Sequence, residues 1–446
     1  MSRHRSGTLR GFTAVVLVGL VAAACGSSAK SDASATSSTA KGSTAVAMAG
    51  VPGVTDSEIR YAAVGTNTNN PLGTCYLDCF LNGVKAYFAY RNAGGGVYGR
   101  KLALAAPLDD ELGKNQDRAL EVTSRNDTFG VFDVPILGTG YATFQKAGWP
   151  VYTYLIDHPG TVGMTNLFAS YSDACLSACP RIDYPYVANA TGATKVAVLG
   201  FAAAKGCIDQ VKVTFDTYAK DTKATVAYTN DSLVFGLPNG VGPEVSAMKK
   251  AGVQLIFGCL DPNSMKAIAQ ESLRQGLKAP LVFYAGFDES YFKQNASVLD
   301  GSIIGSHLRP FIATPTEGQK LYARWMKHIG ADQEENSIHG WIAADLAYQG
   351  LVRAGAPLTR QKVIDATNAL TNYTADGWIN PRDIGRSHDP QTATDAAAHG
   401  ERPFCMSYFQ MRNGTFQMLP PATITRPYTC WPGTTYDWSA PEARSF

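Results

Sequence analysis

N-G-V-K-A-Y-F-A-Y-R-N-A-G-G-G-V-Y-G-R-K-L-A-L-A-A-P-L-D-D, residues Asn82 to Asp110, sets the fold. Leu77, Leu81, Val84 and Phe88 lie 4, 3 and 4 residues apart and make one apolar helical stripe. Asn92 to Gly96 ends that helix, because Asn and Gly accept left-handed cap geometry. Lys101 to Pro107 then reads as a short strand, closed by Asp109 and Asp110. A helix running straight into a strand is half of a βαβ unit. Gly94-x-Gly96-x-x-Gly99 matches the form of a dinucleotide fingerprint, but that motif needs strand, glycines, helix. Here the order is helix, glycines, strand, which excludes nucleotide binding at this turn.

Working outward, the unit repeats. Strands are expected at Ile59–Gly65, Lys101–Pro107, Phe129–Val134, Val151–Leu155 and Asn166–Ala169. Helices are expected at Leu77–Arg91, Asn115–Asn126 and Gly138–Ala147, with one interrupted near Pro185 at Ile182–Ala190. The pattern restarts with Lys195–Gly200, a continuous apolar run typical of a parallel strand covered on both faces. Strands at Ala224–Thr229, Val253–Cys259, Pro280–Ala285 and Ser302–Ser306 alternate with helices at Cys207–Lys220, Pro243–Ala251 and Pro262–Gln275. Helices follow at Glu317–His328, Ser337–Arg353 and Arg360–Leu370, then an irregular stretch, Thr371–Arg402. Phe404–Met411 and Thr415–Leu419 flank Asn413-Gly414 and read as a hairpin. Two successive β-α-β-α runs give an α/β fold of two doubly wound parallel-sheet lobes.

The composition, 45% hydrophobic and 17% charged in 446 residues, is that of a globular protein of two or three domains. Formal net charge is +2, of which Arg3, Arg5 and Arg10 supply +3. The remainder is near −1, without the basic stripe of a nucleic-acid binder. Those arginines precede an apolar run from Gly11 to Ala24, too short to span about 30 Å of hydrocarbon. Residues 1–24 therefore read as a signal peptide. Leu20-Val21-Ala22-Ala23-Ala24-Cys25-Gly26 resembles a bacterial lipobox, which implies lipidation of Cys25 and anchorage to the membrane by that lipid alone. Ala22 stands where Leu is usual, which leaves cleavage one residue away or an unlipidated export signal as the alternatives. Residues 25–53 are rich in Ser, Ala, Thr and Gly and read as a tether.

Eight further cysteines in an exported chain suggest disulfides. Of 105 pairings the simplest joins neighbours: Cys75–Cys79, Cys175–Cys179, Cys207–Cys259 and Cys405–Cys430. The two C-x-x-x-C pairs also have zinc-ligand spacing, the alternative reading. No G-x-S-x-G, H-E-x-x-H or phosphate-loop motif is present, and we expect no cofactor, no metal and no enzymatic activity.

In order and spacing the chain resembles the type I periplasmic binding proteins, in the branched-chain amino acid and amide receptor branch that serves ABC transporters. The resemblance is carried by Gly53-Val54-Thr55-Asp56-Ser57-Glu58-Ile59, by Tyr90 to Leu102 with Asp109-Asp110 after it, by Lys195 to Val198, by Arg274 to Pro280 and by the Phe409–Phe416 hairpin. It implies two lobes joined by several hinge strands, a ligand trapped between them, a permease partner and a monomer. Lobe 1 would take 54–180 with 312–400, and lobe 2 would take 181–311 with 401–440. Signalling to a membrane partner without transport is the alternative function.

Ligands in open α/β sheets bind beyond the carboxyl ends of strands. That rule selects Thr66 and Asn67, then Gly138, Thr139, Gly140 and Tyr141, then Thr153 and Tyr154, and across the cleft Phe201, Asp261 and Asp288. Thr139 could hold a carboxylate or cap its helix. Asp288 could meet a ligand ammonium or cap a helix, and Asp261 before Pro262 reads first as a cap. Tyr141, Tyr154 and Phe201 could wall in a ligand. His158 beside Asp157 is the only histidine near these loops and reads as a rim hydrogen bond. Phe201-Ala-Ala-Ala-Lys-Gly206 and the Cys75–Cys79 pair depart from the family pattern and argue against an unmodified leucine-type ligand.

Overall fold

Alternating burial along two sets of parallel strands builds two separate sheets. The computed structural model describes residues 48, 50–156, 159–172, 179–284, 289–390, 403–431 and 437–446, all within one unit, Thr44–Phe446. The first sheet is made by β1 (Glu58–Gly65), β2 (Lys101–Leu104), β3 (Leu108–Asp109), β4 (Gly130–Val134), β5 (Val151–Tyr152) and, beyond a short β6 (Leu155–Ile156), β7 (Leu167–Phe168). β6 pairs separately with β8 (Tyr171–Ser172). Helices α1 (Leu77–Ala93), α2 (Asn115–Arg125) and α3 (Tyr141–Lys146) connect these strands.

The order is β2-β1-β4-β5-β7, all parallel. The run expected at Lys101–Pro107 is split. β2 pairs the start of β1 and β3 pairs its end. Tyr61, Phe132 and Tyr152 face one core, and Ala62, Val64, Val131 and Val151 face the other.

The second sheet repeats the plan. α4 (Asp183–Thr191) leads to β9 (Lys195–Phe201), followed by α5 (Lys205–Thr217), β10 (Thr225–Leu233), α6 (Gly242–Ala251), β11 (Leu255–Cys259), α7 (Pro262–Gln275), β12 (Leu281–Phe283), α8 (Glu289–Gln294), α9 (Ala296–Leu299) and β13 (Ile303–Ser306). α4 is not interrupted at Pro185, contrary to expectation. Proline sits in the first turn, where its missing N–H has no helical partner to lose.

The chain then returns to the first sheet. α10 (Glu317–Ile329), α11 (Glu335–Ala354) and α12 (Arg360–Asn368) pack into the core that holds α1. It crosses back as β14 (Phe404–Arg412), antiparallel to β13, with β15 (Thr415–Met418) as the expected hairpin partner. The sequence reading missed β16 (Tyr428–Trp431) and β17 (Glu442–Arg444), which extend this sheet to the order β10-β9-β11-β12-β13-β14-β16-β17. The disulfides Cys75–Cys79, Cys207–Cys259 and Cys405–Cys430 are present. Cys179 is disulfide-bonded too, whereas Cys175, Cys25 and the signal segment lie outside the described residues.

α1 and α11 touch backbone to backbone. A Cβ on Gly83 would lie 1.8 Å from the Ser337 carbonyl oxygen, and one on Gly340 would lie 1.8 Å from that of Phe80. Reciprocal glycines at one crossing leave no side chain able to yield. Gly83→Ala and Gly340→Ala are each expected to lower stability by about 1–3 kcal/mol, the overpacking range. Urea unfolding would detect this as a lower midpoint at unchanged slope.

Candidate functional site

In both sheets the strand order reverses beside the first strand, so the carboxyl ends of β1 and β4, and of β9 and β11, flank a switch point. Thr66 and Asn67 follow β1, Gly138 to Tyr141 follow β4, Phe201 ends β9 and Asp261 follows β11, whereas Thr153 and Tyr154 follow β5.

Thr66 is fully buried and acts as a clamp. Its N–H donates to the Val134 carbonyl at 3.3 Å, its Oγ1 accepts from Ile136 N–H at 3.0 Å, and its carbonyl accepts from Leu77 N–H at 3.3 Å. The following loop is held by Asp109. That carboxylate accepts from Asn67 N–H at 3.0 Å, Thr68 N–H at 2.9 Å, the Thr68 hydroxyl at 2.6 Å and Glu111 N–H at 2.9 Å. Partial burial raises its pKa, but these donors outweigh burial and hold it down at about 2. Asn67 keeps an exposed side chain, which donates to Asp78 at 3.2 Å.

Sterics and one amide build the next loop. Asn115 donates to Asp133 at 2.9 Å and accepts from Gly140 N–H at 2.6 Å. Asp133 is fully buried, and burial followed by the nearby Asp110 pushes its carboxyl well above the usual range. A Cβ on Gly138 would lie 2.3 Å from the Tyr141 ring, and one on Gly140 would lie 2.9 Å from Asn115 and Ala119. The two glycines thus seat Tyr141 and leave Thr139 exposed at the lip. Thr139 makes no side-chain cap, since α3 starts at Tyr141 with Gly140 before it. The Tyr141 hydroxyl lies 3.0 Å from buried Thr153 Oγ1.

Tyr154 is half-buried, with its ring 6.1 Å from Tyr76 and 4.1 Å, edge to face, from His339. The sequence reading missed this histidine and His307. His339 Nδ1 lies 2.6 Å from Ser170 Oγ, and Nε2 lies 3.7 Å from Glu335. His307, just after β13, stacks on Tyr171 at 4.3 Å and lies 5.2 Å from His339. Burial lowers both pKa values. For His307, His339, Arg382 and Arg181 push the same way. The available signal was a histidine placed beside the apolar stripe Ile338, Trp341 and Ile342.

On the second sheet Phe201 is buried and packs on Phe235 at 4.2 Å. The Cys207–Cys259 bridge ties the first turn of α5 to the last residue of β11. Asp261 caps α7, accepting from Asn263 N–H at 2.9 Å, Ser264 N–H at 3.0 Å and the Ser264 hydroxyl at 2.6 Å. Asp288, Asp157 and His158 lie outside the described residues. At the rim the sheets' loops meet. A Cβ on Gly73 would lie 2.3 Å from Asn263 Nδ2 at the start of α7. Among the described residues no group of three His, Cys, Asp or Glu is placed to hold a metal ion, and no helix is long and apolar enough to cross a membrane.

Two doubly wound lobes with three crossings between them and paired switch points define a two-lobe binding-protein fold. The family model for periplasmic binding proteins matches residues 75–408, and the chain belongs to that family. Its members are substrate-binding proteins. The solved structures similar to it include a branched-chain amino acid ABC transporter protein from Thermus thermophilus with bound valine, at 14% identity and TM-score 0.65, covering 81% of this chain and 95% of that one. A fatty acid ABC transporter substrate-binding protein from Thermomonospora curvata is 15% identical with TM-score 0.63, covering 86% and 94%. A solute-binding protein from R. palustris in complex with 4-hydroxybenzoate is 15% identical with TM-score 0.61, covering 81% and 95%. No curated protein matches the chain.

His388 carries the clearest pH signature. Burial holds its pKa at about 4, with Nε2 2.8 Å from Asn368 Oδ1. The unfolded chain takes up that proton near pH 6.5 and the folded one resists it to about pH 4. The stabilisation is therefore complete above pH 6.5 and is lost as pH falls toward 4, by about 3 kcal/mol. His388→Gln is expected to flatten that slope in chemical denaturation between pH 7 and pH 4.

Proposed function

We propose that this chain is the extracytoplasmic binding component of an ABC transporter, capturing a small polar or amphipathic ligand, amino-acid- or amide-like, between its lobes for delivery to a permease. The contact of Gly73 with Asn263 carries the reading: it brings the loop after β1 against the start of α7 after β11, the arrangement expected where two lobes close on a ligand. The lobes we propose are 54–180 with 312–400 and 181–311 with 401–440.

Within them, ligand contact falls to Asn67, the Gly138–Tyr141 loop and Tyr154 on lobe 1, and to the Phe201 and Asp288 loops on lobe 2. The hydroxyl of Thr66 and the carboxylate of Asp261 serve as supports, since both are already engaged. Thr153 backs Tyr141. Closure around the ligand shifts the open–closed equilibrium, so affinity depends on the hinge as well as on the contacts.

Calorimetry of ligand-free protein with valine, leucine, an aliphatic amide, benzoate, 4-hydroxybenzoate and a medium-chain fatty acid tests this reading. At least one should bind with a dissociation constant of about 1 mM or tighter and raise the melting temperature. Failure of the whole panel would count against a carrier of this ligand class.

Anchorage through lipid on Cys25 completes the proposal. Cys25→Ser is expected to move the protein from the membrane fraction to the soluble fraction of fractionated cells. Unchanged partition would reject the anchor.

A further inference from the structure

Residues 419–431 and 437–446 leave the second sheet and return to it, touching the other lobe on the way, and all of them lie beyond the family match, which ends at residue 408. Leu419 lies in the lobe-2 core, and the Tyr186 hydroxyl donates to the Pro420 carbonyl. The Ile424 carbonyl then accepts from Thr314 N–H at 2.8 Å. The Tyr428 hydroxyl donates to the Trp378 carbonyl at 2.8 Å, and Trp378 is fully buried in the lobe-1 core. The chain returns to lobe 2 through the Cys405–Cys430 bridge, Trp431 and Trp438. It reaches across again at its end. Ser445 Oγ accepts from Arg309 at 3.0 Å, the Phe446 ring lies 5.4 Å from Tyr428, and a Cβ on Gly377 would lie 3.1 Å from the Phe446 carbonyl oxygen.

One gripped segment, Arg309 to Thr314, is the hinge crossing from lobe 2 to lobe 1, and the other, Gly377 and Trp378, belongs to lobe 1. They are also joined to each other, by the Leu308–Ile379 bridge and by Arg309 N–H donating to the Trp378 carbonyl at 2.8 Å. Arg309 is buried and binds the Thr314 carbonyl through Nε at 3.1 Å and Nη2 at 2.8 Å, so Ser445 and Ile424 hold the same turn.

We propose that residues 419–431 and 437–446 form a strap that restrains rotation of the lobes and keeps the ligand-free protein near its closed geometry. This rests on the carrier reading, because opening for a ligand is the motion that the strap limits. The strap makes the competent state more populated before ligand arrives, which raises apparent affinity without touching the ligand.

The test uses the full chain with spin labels at exposed Leu120 and Leu273, read by dipolar distance measurement without ligand. Tyr428→Phe with Ser445→Ala removes the cross-lobe hydrogen bond to Trp378 and the bond to Arg309 at the hinge crossing, and leaves the bridge and the packed rings. We expect the interlobe distances to lengthen and broaden, and affinity for the best panel ligand to fall about 3–10-fold. An unchanged distribution in a cooperatively folding double variant overturns the strap. If the double variant does not fold, Ser445→Ala alone, at an exposed hydroxyl, gives the same readout with the same overturning result. Longer distances with no panel ligand bound would uphold the strap and reject the carrier reading. Panel binding with unchanged distances would do the reverse.

Discussion

The crossing of α1 over α11 at Gly83 and Gly340 is the constraint on which the rest depends. Backbone contact at both glycines fixes the two helices in one register. Around it, Asp345 accepts hydroxyls from Tyr87 and from Tyr373 at 2.6 Å, and the Arg91 guanidinium lies over the Tyr348 ring at 3.9 Å and the Tyr90 ring at 4.5 Å. Such a buried polar and aromatic cluster is stable only when every member is in place. Because α11 comes after the five parallel strands β9 to β13 of the second sheet, lobe 1 cannot be completed unless the chain returns to it. The crossings, and so the hinge, follow from that requirement.

The hinge is polar where it is buried. Arg181 donates to both oxygens of Asp183 at 3.0 Å and to the Tyr171 hydroxyl at 2.9 Å, while Tyr408 on β14 donates to the same aspartate. This joins a strand of the first lobe to a strand of the second through one guanidinium. Removing one member of such a pair leaves an uncompensated buried charge, a loss of about 3–5 kcal/mol. The network therefore defines the lobe junction more than it adds net stability. His307 and His339 lie near it, kept neutral by burial and, for His307, by the adjacent cations.

The fold was legible because its signals are local. Lys195-Val-Ala-Val-Leu-Gly200 is apolar on both faces of a covered strand, and Asn92 to Gly96 reverses the chain with Gly95 and Gly96 at positive φ. Short elements were lost where the partner lies far away in sequence. β16 is four residues long and is recognisable only from its pairing with β14. The site was less legible for a related reason. Polar residues at strand ends looked like ligand contacts, yet the atoms of Thr66 and Asp261 are taken up by nearby backbone N–H groups. The duty of Gly138, to admit the ring of Tyr141, depends on a rotamer that spacing does not encode. His307 and His339 approach one another only because β13 ends where α11 begins to pack.

The α1–α11 crossing also orders events in time. A chain made from its N-terminus presents the stripe of Phe80, Val84 and Tyr87 long before residues 335–354 exist to cover it. The second sheet waits likewise for β14 at Phe404. Contacts so distant in sequence close slowly, and until they close the apolar faces stay open to solvent or to a chaperone. Neither lobe has a finished core to collapse onto until nearly the whole chain is present. For a protein of an extracytoplasmic family, a fold that closes this late leaves the chain threadable for longer.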